Sequence, residues 1–276
     1  MADRRIVVAL ALGLLSGCAP MSGGPEPFAY APPPGEPPPP EEARPAAPTL
    51  PPPPASPREA RPGARGDSVA WRAALDAREP RIVVSREEKW LWLMHDDSVL
   101  LVAPVAVGRD TVFHYGGTAY DFSTPTGRMT VQGKEEEPEW VPPDWHYFEK
   151  AVEDDLEPVH LKDGDVIELS DSTTIEVRDG EVGRVNRFGY WRAFTPGSEI
   201  IFDGRIFVPP LDSPQRRIPK VLGTHRLILG DGYLIHGTPE EHTIGEEASH
   251  GCVRMFNRDV RRLYALVEPG TPVFVY

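Results

Sequence analysis

A mainly β fold with one or two short helices and a β-rich insert is what this 276-residue chain predicts, and three observations carry that expectation. Runs of β-branched and aromatic residues at 82–84, 90–93 and 99–107 are interrupted by short polar turns, the pattern of a meander. Asp-Gly pairs at 179–180, 203–204 and 231–232 sit between further such runs, and Asp-Gly favours the type I′ turns whose twist suits two-stranded ribbons. Helical spacing is confined to two short windows, 68–77 and 257–267.

The N-terminus reads as a targeting segment. Arg4 and Arg5 precede an apolar run at 6–15 that is too short to cross a bilayer, so residues 1–17 are expected to be a cleaved signal. The following Leu15-Ser16-Gly17-Cys18 is similar to the lipobox of bacterial lipoproteins. That similarity implies cleavage before Cys18, acylation of its sulfur and, with Ala19 next, retention at the outer membrane. Several acyl chains would hold the protein to the membrane stably, whereas a single chain is marginal. Many of the chain's 33 prolines then fall in residues 18–65, a stretch of Pro, Ala, Glu and Gly. It is expected to be a lipid-anchored, Pro-rich disordered linker. In polyproline II form it would reach on the order of 100 Å at about 3.1 Å per residue.

The folded domain is placed at 66–276. Ser68 is expected to cap a helix to Ala77, with Trp71 and Leu75 docking it. The meander follows and Gly108 closes it. Residues 144–207 form an insert that begins polar and acidic, as a solvated loop or short helix. It continues into two hairpins, 173–177 with 181–185 and 200–202 with 205–207. Phe188, Tyr190, Trp191 and Phe194 read as an aromatic cluster between them. The insert is expected to pack its own core, and long insertions in compact domains also serve as active-site covers. Asn257 is expected to cap a helix ending near Val267, with Val260, Leu263, Tyr264 and Val267 on one face, and Pro269-Gly270 stops it. A final strand runs over 273–276.

Chemistry concentrates between Tyr233 and Met255. The run Tyr-Leu-Ile-His236-Gly237-Thr follows the Asp231-Gly232 turn, and a polar loop leads to Ser249-His250-Gly251-Cys252-Val253-Arg254-Met255. A thiol attacks as its thiolate, and a free Cys has a reference pKa of about 8.5, so a nucleophilic Cys252 needs a nearby base. His236 and His250 are both candidates. Gly251 lets backbone approach a ligand, successive N–H groups there suit an oxyanion, and Arg254 offers a fork for a carboxylate or acts as a surface ion-pair partner. The bland alternative is an inert core Cys. A zinc site from His236, His242, His250 and Cys252 is disfavoured because His-x-Cys is not a usual ligand spacing. No metal and no cofactor are expected.

His-Gly-Thr followed by Ser-His-Gly-Cys-Val-Arg-Met resembles the signature of the L,D-transpeptidase (YkuD) catalytic domain. Thr124-Pro125-Thr126-Gly127, Lys134, Trp140, Pro142-Pro143 and Leu222-Gly223 resemble further landmarks of that family in the right order. The resemblance covers roughly 81–143 and 208–276 and implies a β-sandwich or barrel. It implies Cys252 as nucleophile and His236 as its base, with the Gly237 carbonyl orienting the imidazole. Gly251 and Cys252 would give oxyanion N–H groups, Ser249 and His250 would shape the turn, and Arg254 would hold a substrate carboxylate or amide.

The implied reaction is acyl transfer through a thioester. Its donor is a peptidoglycan stem tetrapeptide that releases D-Ala, and its acceptor is a stem amine, a protein Lys or water. The resemblance also implies acylation by carbapenem-type β-lactams. Hydrolysis of the same linkages, or tethering to the wall without turnover, are the alternatives. With Cys18 lipidated, Cys252 has no disulfide partner in the mature chain. A net charge of −13 argues against nucleic acid as a partner.

Overall fold

The computed structural model describes residues 48–276. The expected signal, Cys18 and the linker up to residue 47 lie outside the described residues. The meander forms as read: β1 (Arg81–Ser85), β2 (Trp90–His95) and β3 (Ser98–Gly108) pair antiparallel in succession. They are the middle of a ten-stranded sheet that runs Gly127–Thr130, Pro272–Val275, β1, β2, β3, Val253–Phe256, Tyr233–Thr238, His225–Gly230, Gly133–Glu136, with Glu247–Ser249 paired to β3 as well. The two end strands of this order are neighbours in the chain, separated only by Val131 and Gln132. Such a sheet has to curl on itself.

Inside the curl lies the main core, built from Ile82, Val84, Leu91, Leu93, Val105, Leu227, Ile235, Val253 and Met255. Helix α3 (Asn257–Leu266) closes it with Val260 and Leu263, followed by Val267. Lys134 donates to the carbonyls of Tyr264 and Val267 (2.9 and 2.7 Å), supplying positive charge where the last helical carbonyls lack partners. β1 is buried on both faces, so its alternate residue Val83 joins a second core with Trp90, Trp92, Met94, Phe274 and Tyr276.

That second core is covered by α1 (Ser68–Asp76) and by the segment before it. The α1 cap is Asp67 rather than Ser68: its carboxylate accepts from the N–H groups of Val69 and Ala70, both at 2.9 Å. Ala70 and Ala74 are the buried face of α1, and Trp71 packs partly against the second core. Part of the stretch read as linker also packs here. The Trp92 and Trp71 indoles donate to the carbonyls of Pro54 (3.3 Å) and Pro57 (2.9 Å), Ala60 is buried, and Leu50 lies against Ala106, Ile244 and Phe256. A proline-rich strand loses little conformational freedom when it docks, and its carbonyls satisfy two indole N–H groups. The folded body therefore starts before residue 66.

Of the two readings for the start of the insert, the helix holds: α2 spans Asp144–Glu153. Both hairpins form, Thr174–Arg178 with Glu181–Val185 and Ile201–Phe202 with Arg205–Val208. Asp179 and Gly180 (φ 51 and 78°) and Asp203 and Gly204 (φ 53 and 69°) have the paired positive φ of a type I′ turn. Leu161, Leu169, Ile175, Val177, Val182, Ile200 and Phe207 make the insert's own core. Tyr147 and Ala151 seat α2 against Ile206 and Val208. The buried Arg216 guanidinium fastens entry to exit, donating to Pro142 O (2.9 Å), Pro209 O (2.8 Å) and Asp144 Oδ1 (2.6 Å). The four aromatics do not cluster. Phe194 packs toward Phe202, whereas Phe188 and Tyr190 stand exposed on a hairpin tip. With α1, α2 and α3 as short helices among the described residues, the domain is mainly β.

Candidate active site

Sheet register brings the motif together. Strands Tyr233–Thr238 and Val253–Phe256 are parallel, with Ile235 opposite Val253 and His236 opposite Arg254. Side chains alternate along a strand, so Ile235 and Val253 enter the core while His236 and Arg254 face the other way. Cys252, two residues before Arg254, opens on the same side. His236, Cys252 and Arg254 accordingly line one cleft of about 660 Å³, with Tyr233, Leu234, Ser249 and His250.

His236 is buried and its Nδ1 lies 2.5 Å from the Gly237 carbonyl. A carbonyl only accepts, so Nδ1 carries the proton and Nε2 is left as the basic nitrogen. The local backbone permits this because Gly237 and Gly223 lie back to back: a Cβ on Gly237 would fall 2.3 Å from Asn257 Oδ1. Asn257 does not cap α3. Its amide accepts from Thr224 N–H and donates to Thr238 O, both at 3.0 Å, tying the His236 strand to the preceding loop.

Burial pushes the His236 pKa down to about 4 and the Cys252 thiol up to about 11. Both groups are therefore neutral near pH 7, and the site holds no ready-made thiolate. The thiol sulfur contacts the Gly232 carbonyl at 3.9 Å, across from the Asp231-Gly232 turn.

Ser249 fixes the turn that presents the thiol. Its Oγ accepts from Gly251 N–H (3.1 Å) and donates to Cys252 O (2.5 Å). The Gly251 N–H, expected to face an oxyanion, is thus engaged within the turn. Gly251 has φ +111°, and a Cβ there would meet the Tyr233 ring and Ser123 O at 3.0 and 3.1 Å. Arg254 pairs with Glu240 (2.7 Å) on the loop after the His236 strand, so its fork is occupied in this structure.

His250 is held from the insert. Its Nε2 bonds Glu149 Oε2 at 2.7 Å, and Glu149 Oε1 accepts from Arg109 at 2.7 Å. The imidazole stacks on Trp145 (centroids 4.5 Å, 21°) and meets Phe122 edge-on at 4.7 Å. Burial, then the Arg109 charge, lower its pKa, with Glu149 opposing. His146, on the same helix, is pushed down to about 4, chiefly by burial, and also lines the cleft. Helix α2 is thus a wall of the cleft as well as the edge of the insert. Glu149 and Trp145 escaped the sequence reading, since no local pattern links them to His250 about a hundred residues away, and so did Glu240 and the role of Asn257, whose partners lie on other elements. Among the described residues no group of three His, Cys, Asp or Glu is placed to hold a metal ion, and His242 lies exposed outside the cleft.

Comparisons with known proteins bear on the family of the chain. The YkuD L,D-transpeptidase catalytic domain matches residues 79–275. A 52-residue stretch is 44% identical to the probable L,D-transpeptidase YbiS of Escherichia coli K12, covering 19% of this chain and 17% of that protein. Another match, over 43 residues at 49% identity, is to the putative L,D-transpeptidase YkuD of Bacillus licheniformis, covering 16% and 26% respectively. The matched stretches thus span about a quarter or less of these relatives. The catalytic domain of the Enterococcus faecium L,D-transpeptidase aligns with 73% of this chain and 99% of its own, at 17% identity and a TM-score of 0.37. The family match spans well over half of the residues and contains the whole cleft, and the chain belongs to the L,D-transpeptidase catalytic-domain family.

Proposed function

We propose that the protein is a peptidoglycan L,D-transpeptidase that carries the acyl group on Cys252. The observation that supports this most is the parallel register that turns Cys252, His236 and Arg254 into one cleft. The donor is a stem tetrapeptide. Cys252 attacks the carbonyl before the terminal D-Ala as His236 Nε2 takes the thiol proton, and His236 then returns that proton to the leaving D-Ala amine. The thioester is resolved when an amine, from a neighbouring stem or a protein Lys, attacks the same carbonyl and the thiol is restored.

The neutral resting pair shapes this mechanism. Proton transfer from the thiol to the imidazole ahead of carbonyl attack is unfavourable, because burial disfavours the charged form of each group. Proton transfer is therefore coupled to carbonyl attack, when charge leaves sulfur for the developing oxyanion. The Cys252 N–H is the motif donor assigned to that oxyanion, since Gly251 N–H serves the turn. The substrate carboxylate or amide takes Arg254 by displacing Glu240, an exposed partner whose pairing is worth little. At the other end of the chain, a lipid on Cys18 holds the enzyme to the outer membrane, facing the periplasm. The linker available for reach ends before Leu50, where the chain docks on the domain.

The test is mass spectrometry of products after incubation of tetrapeptide muropeptides with the wild-type protein and Cys252→Ala. A cross-linked dimer lacking one D-Ala, formed only by the wild type, supports the reading. Tripeptide alone would make the protein a carboxypeptidase, and no product from either protein would leave only a tethering role.

A further inference from the structure

The insert carries a second concave surface, unconnected with the thiol by any residue the two share. It is a broad open groove of about 1040 Å³, lined among others by Arg184, Arg187, Arg192, Phe188, Tyr190 and Trp191. These residues come from one hairpin, Glu181–Val185 and Trp191–Ala193, and its tip.

Three features of that hairpin bear on binding. Arg184 and Arg192 are directly opposite across the strands, and like charges so placed destabilise a sheet. Arg184 is neutralised by Asp171, but among the described residues neither Arg187 nor Arg192 makes an ion pair. Phe188 and Tyr190, 74% and 73% exposed, are the only aromatic side chains among the large apolar groups left exposed in the described residues.

The tip is nonetheless rigidly built. The Asn186 side chain accepts from the N–H groups of Phe188 (3.0 Å) and Tyr190 (3.1 Å), Asn186 N–H donates to Tyr190 O, and Gly189 turns the chain at φ +82°. Trp191 lies flat on the sheet, because Gly183 leaves the space: a Cβ there would be 2.5 Å from the indole. A fixed display of exposed aromatics and unpaired arginines is the composition of a binding surface, where such residues supply most of the energy.

We propose that this hairpin is a docking site for an anionic, ring-bearing wall polymer, the glycopeptide of peptidoglycan, separate from the catalytic cleft. The choice of occupant rests on the function proposed above. Charge complementarity favours it: stem-peptide carboxylates meet the guanidinium groups of Arg187, which lies over the Phe188 ring at 5.4 Å, and Arg192, neither ion-paired among the described residues, in a chain that is otherwise strongly acidic. The sugar rings lie against Phe188 and Tyr190. An open groove, unlike a closed pocket, admits a polymer that continues in both directions.

The experiment is co-sedimentation of the full chain with insoluble peptidoglycan, in a Cys252→Ala background so that no covalent acyl-enzyme contributes. Arg187→Ala/Arg192→Ala and Phe188→Ala/Tyr190→Ala are compared with the parent. These side chains are exposed, so both variants are expected to keep the parent's circular dichroism and melting temperature. Each is predicted to bind about tenfold more weakly, and raised salt is predicted to weaken the parent more than the arginine variant. Sedimentation unchanged in both variants overturns the proposal. So does a loss confined to anionic phospholipid vesicles, run in parallel, which would assign the hairpin to a membrane surface. Release of D-Ala from soluble tetrapeptide by the wild type is measured separately. Its absence would remove the enzymatic reading while hairpin-dependent sedimentation still upheld the docking site.

Discussion

The segment from Tyr233 to Phe256 and the insert from Asp144 to Val208 contribute to the same cleft by different means. The first is locally specified: two parallel strands in register set His236, Cys252 and Arg254 on one side, while Ser249 and Gly251 set the turn. The second has its own core and reaches the cleft only through α2, whose Trp145 and Glu149 hold His250. The thiol and the buried imidazole of His236 thus belong to the sheet, whereas the environment of the second imidazole is supplied from elsewhere. Damage to the two regions should therefore have different signatures.

The largest effect is expected in the sheet. Cys252→Ala should abolish acyl transfer, and His236→Gln should lower the rate of D-Ala release by about 10²- to 10⁴-fold, the range for loss of a general base. Steady-state release from tetrapeptide checks both. Gly251→Ala comes next. It places a Cβ against Tyr233 and Ser123 at a φ suited to glycine, with an expected cost of about 1–3 kcal/mol in urea unfolding and a displaced thiol.

Changes on α2 should be milder. Glu149→Gln keeps the shape but removes the charge that holds His250 against Arg109, and a loss of about tenfold in acyl transfer is expected with stability little altered. If Glu149 acts through His250, its substitution should add nothing in a His250→Gln background, which a double-mutant cycle reads directly. A full additive loss would break the link between insert and motif.

Acid should weaken the sheet's half of the site in a defined direction. The folded-state pKa of His236 lies below its unfolded value, so its contribution is fully present above about 6.5 and is lost as pH falls toward about 4. The loss is on the order of 3 kcal/mol, and urea unfolding at several pH values should show it shrinking in His236→Gln. Cys252 has the opposite sign: its raised pKa adds stability below its unfolded value of about 8.5, and that is lost as pH rises toward about 11. Alkylation of the resting thiol should accordingly accelerate only in alkaline solution.

Most of the sheet's contribution could be read from the sequence because it is written in neighbouring residues. Asp-Gly turns gave the hairpins, and the motif that holds His236, Cys252 and Arg254 marked three residues that line one cleft. What stayed hidden depends on contacts between distant positions. Asn257 has the chemistry of a cap, yet a tighter pair of partners in Thr224 and Thr238 claims its amide. The free donor expected at Gly251 is engaged by Ser249, and the guanidinium of Arg254 by Glu240. Phe188 and Tyr190 have the composition of a core but lie on a hairpin tip that no second layer covers among the described residues. Prolines 54 and 57 read as linker until two indoles are seen to need their carbonyls.

The proposed chemistry turns on a thioester at Cys252. Acid-quenched intact-protein mass spectrometry during turnover of a tetrapeptide donor, followed by peptide mapping, would test it. The predicted result is an adduct equal to the donor minus D-Ala, on the peptide containing Cys252 and released by hydroxylamine. Turnover without any such adduct, or an adduct on another residue, would contradict it.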